Sequence, residues 1–137
     1  LRASGANVYL TRSDDTFISL QSRVATSHYR NADAFISLHY DSFMDQSVRG
    51  STAYYYQAAK DQQLASSVHS EVAKRSQIPD KGVKFGDYFV LRENKRPSLL
   101  YELGYLSNPQ EEAIIYSASY QERVTEGMTE GLKQYFR

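Results

Sequence analysis

Apolar and polar positions along this chain alternate with two periods: about two residues in some stretches and about 3.6 in others. Leu1 to Ser4 reads as the last turn of a helix, which Gly5 stops. Val8 and Leu10 share one face of a short strand predicted over Ala6 to Thr11, and Asp14-Asp15-Thr16 forms a turn. Leu20, Val24 and Ala25 then recur at helical spacing, predicting a helix over Ile18 to Arg30 that ends at Asn31. The apolar run Ala34 to His39 is a strand, Tyr40 to Gly50 is polar and loop-like, and Ser51 to Gln57 is β-prone with three consecutive tyrosines.

A helix follows over Ala58 to Gln77, with Leu64, Ala65, Val68 and Val72 facing inward. Ile78 to Asp87 holds Pro79, Gly82 and Gly86 and reads as a loop, with Tyr88 to Arg92 a strand after it. Pro97 to Asn108 contains a further apolar strand. Asn108, Pro109 and Glu111 supply an N-cap, a proline at the first helical position and an acid in the first turn. Ser119 with Glu122 forms a capping box. It opens a last helix whose inner face is Val124, Met128, Leu132 and Tyr135. Strands and helices alternate for most of the length, which predicts an α/β domain: a mainly parallel or mixed sheet flanked by helices.

The bulk composition narrows the function classes. The chain of 137 residues is one domain in size, and its 41% hydrophobic and 23% charged residues are ordinary for a globular protein. Sixteen basic residues balance sixteen acidic ones, so nothing advertises nucleic acid or an anionic membrane. No apolar run approaches the roughly 20 residues needed to span a bilayer. The absence of cysteine excludes a disulfide scaffold, thiolate catalysis and cysteine-ligated zinc. The opening in a helix's last turn, without an initiator Met or signal sequence, makes the chain read as a piece of something longer.

Two residues stand out chemically. Glu102 lies inside the apolar run Leu99 to Leu103, and a buried carboxylate needs a cation or a chemical task. On a strand, Leu99, Tyr101 and Leu103 point one way while Leu100, Glu102 and Gly104 point the other. The alternative is a structural ion pair with Arg92 or Arg96. His39 is the only ionisable group of its own apolar strand and sits near its C-terminal end. Active sites of α/β sheets gather at that rim, and imidazole is the commonest metal ligand. Ser37, Asp41 and Ser42 surround it with small polar groups. Together the pair suggests a metal-assisted hydrolase. Tyr40 and Tyr105, next to them, are candidates to line a cleft. Tyr54, Tyr55 and Tyr56 read as sheet packing. His28 and His69 read as surface or partly packed, and Arg12 and Arg23 as structural charges.

Several motifs, in order, carry a family resemblance. They are Gly5-Ala-Asn-Val-Tyr-Leu-Thr-Arg12, Ser19-Leu-x-x-Arg23 and Asn31 to His39. Lys81-Gly-Val-Lys84, Phe89-Val-Leu-Arg92, Pro97 to Asn108 and the closing Glu-Gly-x-x-x-Gly-Leu-x-x-Tyr-Phe helix complete the set. The set resembles the zinc-dependent N-acetylmuramoyl-L-alanine amidases of the amidase type 3 family and spans essentially the whole chain.

The resemblance implies cleavage of the amide joining N-acetylmuramic acid to L-alanine in peptidoglycan, outside the cell or in the cell wall of a bacterium. It implies zinc held by His, Glu and His, with a second glutamate working on the bound water. By motif, His39 matches the second ligand histidine and Glu102 the catalytic glutamate, which would move a proton from water to the departing amine. The family's first strand, the helix region after it, and two further zinc ligands are expected upstream of Leu1. On that reading residues 1–137 are a partial catalytic domain, inactive alone. The missing first strand would be an interior one, leaving an unfilled place and an exposed edge in the sheet, which another segment or a second copy of the chain would cover unless the sheet rearranges. Asp41 stands where family members commonly carry Asn, adding negative charge beside the metal. Two other readings share the fold: a non-catalytic peptidoglycan-binding remnant, and a zinc peptidase acting elsewhere on the stem peptide.

Overall fold

The computed structural model describes residues 1–137. After a 3-10 turn at Arg2–Ser4 come α1 (Leu20–Tyr29), β1 (Phe35–Asp41) and β2 (Ser51–Tyr55). A π-helical turn, Ala58–Gln62, runs into α2 (Gln63–Ser76), followed by β3 (Asp80–Phe85), α3 (Phe89–Arg92) and β4 (Ser98–Tyr105). Helices α4 (Pro109–Ile115) and α5 (Ala118–Tyr135) close the chain. The four strands form one sheet in the order β1-β4-β2-β3. β1 pairs with β4, and β2 with β3, in parallel, whereas β2 and β4 are antiparallel. The sheet is mixed, with helices on both faces.

Strand β4 is buried along its whole length because it is central and covered on both sides. Its side chains alternate as the sequence predicts. Leu99, Tyr101 and Leu103 join Leu64, Val68, Val72, Val124, Met128 and Leu132 in the larger core, beneath α2 and α5. Leu100 faces the other way, into a smaller cluster with Val24 of α1 and Val90 and Leu91 of α3. Glu102 shares that second face. The thinner layer of α1 and α3 is where a cleft can open.

Local signals account for most helix boundaries. Gly5 stops the first turn at φ 89°, and Ser19 accepts a bond from Ser22 N to start α1. Asn108 Oδ1 accepts from the amides of Gln110 and Glu111 at 3.0 Å each, with Pro109 at the first helical position. The last helix starts earlier than expected: Ser117, not Ser119, is its cap, accepting from Tyr120 N at 3.2 Å.

Three sequence expectations are corrected. Ala6 to Thr11 is not a strand, because no neighbouring strand supplies the ladder bonds, and Tyr9 and Leu10 are exposed. Asp80–Phe85 is a strand rather than a loop. Pairing with β2 overrides its glycine signals, and Gly82 sits at φ 84° where the register with β2 shifts. Tyr88 to Arg92 is not a strand. The amides of Leu91 and Arg92 bond the Tyr88 carbonyl, closing a short helix that buries Val90 and Leu91 together.

Candidate functional site

His39 and Glu102 are directly paired across β1 and β4, and Thr52 of β2 flanks Glu102 on its other side. Parallel pairing sends both side chains to the same face and the same end of the sheet. Immediately after this pair the register shifts: Asp41 lies opposite Tyr105, so β4 has one more residue than β1 between the two pairings. Gly104 takes φ 131° in this bulge, a conformation other residues adopt at a steric cost.

The bulge is clamped from beneath by a carboxylate that sequence reasoning treated only as a helix-start signal. Glu111 is fully buried. Its Oε1 accepts from Tyr105 N at 2.8 Å, and its Oε2 from Gly50 N at 2.7 Å and Arg49 Nε at 3.2 Å. One side chain thereby ties the end of β4 to the entrance of β2. The only sequence signal for it is its place three residues after Asn108.

Around His39 and Glu102 lies a cleft of about 140 Å³, lined by Leu20 and Arg23 of α1, Phe89 and Val90 of α3, Tyr88 and Leu100. Glu102 is 9% exposed and has no ion pair. The structural alternative fails, because Arg92 pairs with Asp87 and Glu93 while Arg96 bonds Asn31. Its Oε2 is buried without a hydrogen-bond partner. Burial, with Asp41 as a second negative charge, pushes the Glu102 carboxyl up to about 7. At neutral pH such a group can both take and return a proton.

His39 is half-buried, with Nε2 2.9 Å from Ser37 Oγ. Burial and the Arg23 and Arg12 guanidiniums hold its pKa below the usual imidazole range, against an opposing pull from Asp41. The neutral ring keeps a lone pair available for a metal or a proton. No three His, Asp or Glu side chains converge in the chain, so its own residues do not make a three-ligand metal centre.

The tyrosines divide differently from the sequence expectation. Tyr40 projects to the opposite face from His39, and Tyr105 is buried beside Asp41 with Lys81 over its ring at 5.2 Å. Neither lines the cleft. Tyr88 and Phe89, read as strand residues, do. Burial and the neighbouring Tyr54, Glu102 and Asp41 push the Tyr88 phenol up to about 12, so it stays a hydrogen-bond donor. Arg23, read as a structural charge, also lines the cleft.

Of the remaining histidines, His28 accepts from Lys95 N at 3.0 Å on the flank of α1. His69 is not a surface residue. It is buried between the Tyr101 hydroxyl at 2.8 Å and Asp80 Oδ1 at 2.6 Å, inside the larger core.

Residues 1–134 match the family described as N-acetylmuramoyl-L-alanine amidase. The chain is 72% identical over 137 residues to the putative N-acetylmuramoyl-L-alanine amidase YrvJ of Bacillus subtilis, covering all of this chain and 26% of that protein. It is 36% identical over 136 residues to the probable cell wall amidase LytH of Staphylococcus epidermidis, covering 99% of this chain and 45% of that protein. The chain thus spans between about a quarter and about half the length of these relatives. Among solved structures it is similar to the catalytic domain of the amidase CwlV from Bacillus (Paenibacillus) polymyxa var. colistinus. The TM-score is 0.91 and the identity 36%, over 95% of this chain and 72% of that one.

Proposed function

This chain belongs to the N-acetylmuramoyl-L-alanine amidase family, and on that premise we propose that its cleft serves hydrolysis of peptidoglycan at the amide between N-acetylmuramic acid and L-alanine. The observation that carries the reading is Glu102, a buried carboxylate without an ion pair, raised to about 7 at the rim of the sheet beside His39. In this role Glu102 takes a proton from the water that attacks the amide carbonyl. It then gives that proton to the L-alanine nitrogen as the carbon–nitrogen bond breaks. Tyr88 and Phe89 supply the wall against which the substrate rests.

Zinc, generally used by this family, supplies Lewis-acid polarisation of the carbonyl when bound. His39 is the imidazole this chain would contribute, and further ligands would have to come from outside residues 1–137. The 72% coverage of the CwlV catalytic domain supports reading residues 1–137 as the larger part of such a domain. The free edge of β1, where Leu38 is 55% exposed, is where an added strand or a second copy would pair. Likeness to a cell wall amidase supports action at the cell wall or outside the cell.

The test is product analysis on purified cell walls, using the full-length protein that carries this domain, with zinc. The expected products are new L-alanine amino termini and an intact lactyl carboxylate, at a rate reduced at least a hundredfold by Glu102→Gln. New amino termini at any other residue would identify a peptidase. Unchanged turnover by the Glu102→Gln variant would remove the proposed mechanism.

A further inference from the structure

Arg23 is the one cation that lines the cleft. It is half-buried, and only its Nε is engaged, donating to the Ile18 carbonyl at 2.9 Å. That bond fixes the base of the guanidinium against the start of α1. The two terminal nitrogens make no hydrogen bond, and no carboxylate lies within 4 Å of Arg23. Of the other partly buried cations, Arg49 pairs with Glu111, Lys60 with Asp61, Arg75 with Glu71 and Arg92 with Asp87, while Lys81, Arg96 and Arg123 have no acid partner; what sets Arg23 apart is that it lines the cleft. A partly buried guanidinium with two unbonded terminal nitrogens, on a residue that lines a cleft, is suited to an anion, because its planar fork matches a carboxylate in two-point contact.

The rest of the cleft says where that anion sits. Glu102 lies near a second negative charge, Asp41, while Arg23 on α1 and the exposed Arg12 are close enough to act on His39. A substrate with its reacting amide at Glu102 therefore has its anionic group drawn toward α1, away from the carboxylates. The apolar Leu20, Phe89 and Val90 beside Arg23 limit competition from water.

We propose that Arg23 is a specificity-determining residue whose guanidinium binds a free carboxylate on the peptide residue following L-alanine. The proposal rests on the amidase reading for the identity of the peptide. The cleft then discriminates between stem peptides whose second residue carries an α-carboxylate and those in which that group is a neutral carboxamide. Both groups have the same shape, so the discrimination is electrostatic. Added salt weakens it.

The test is binding to the 137-residue chain, without metal or turnover. Two ligands are compared by calorimetry: N-acetylmuramoyl-L-alanyl-γ-D-glutamyl-L-lysine, and the same compound with the glutamyl α-carboxylate converted to carboxamide. The wild-type chain is expected to bind the carboxylate form about tenfold more tightly, the low end of what a hydrogen bond to a charged group contributes. Arg23→Gln should bring the preference below about twofold, and Arg23→Lys should restore part of it, since the charge returns without the fork. Thermal unfolding of both variants verifies that they are folded. A preference retained in folded Arg23→Gln, or equal binding of both ligands by the wild type, overturns the proposal. No binding of either ligand at millimolar concentration overturns it too, by removing the cleft as a peptide site. Failure of the amidase reading is seen separately, in the products released from cell walls and their dependence on Glu102.

Discussion

His39 and Glu102 face each other across a parallel strand pair, one step before a bulge in β4 that Glu111 holds from below. Their chemistry follows from this placement. The sheet brings an imidazole and an unpaired carboxylate to one rim, and the thin layer of α1 and α3 leaves that rim open as a cleft.

Glu102 should titrate near pH 7, because burial and Asp41 both oppose its ionisation. Carbon-13 carboxyl shifts of the metal-free chain measure this, and Asp41→Asn should lower the midpoint. The stability consequence has a definite sign. The folded state holds its proton over the interval between the ordinary glutamate value, 4.5, and about 7, so stability falls as pH rises through that window. Above pH 7, Glu102→Gln should therefore stabilise the fold, by up to about 3 kcal/mol from the size of the shift. Denaturant unfolding at pH 5 and pH 8 checks it, and no gain at pH 8 would contradict a raised carboxylate.

Glu111→Ala should cost about 3 kcal/mol in denaturant unfolding, because it strands the buried amides of Gly50 and Tyr105 and leaves Arg49 unpaired. Glu111→Gln keeps one oxygen acceptor and should cost less. A loss in Glu111→Gln as large as in Glu111→Ala would mean that the second acceptor oxygen and the charge carry the whole effect, and no loss in Glu111→Gln would mean that packing does.

Helices α2 and α5 meet through Gly127 and Gly131. A Cβ at Gly127 would stand 2.7 Å from Val72 Cα, and one at Gly131 would stand 2.5 Å from Val68 Cα. Backbone cannot yield as a flexible side chain can, so the helices must separate. Alanine gains about 1 kcal/mol of helix propensity at each site, yet each substitution should destabilise by roughly 2 kcal/mol through overpacking. A rise in melting temperature for either variant would show that the contact is slack.

Zinc per chain, measured after dialysis of the 137-residue protein against a slight excess of the metal, should be near zero. His39 and Glu102 converge with no third ligand of the usual kinds. A ratio near one that is lost in His39→Ala would show that a neighbouring copy, or a rearranged side chain, completes the coordination.

Residue types and local periodicity by themselves determined much of this protein. The α/β alternation, the two faces of β4, the Asn108 cap and the singling out of His39 and Glu102 all rest on patterns a few residues long. Turn sterics, capping bonds and side-chain alternation act over that same range, so a sequence displays them directly. Tertiary structure decided the rest. It made a strand of Asp80–Phe85 and a helix of Phe89–Arg92, buried His69 against Tyr101, and brought Arg23 into a cleft with residues far along the chain. Ladder bonds, burial and charge proximity depend on partners distant in sequence. Only the closing of the sheet and the laying of α1 and α3 across it put those partners in place.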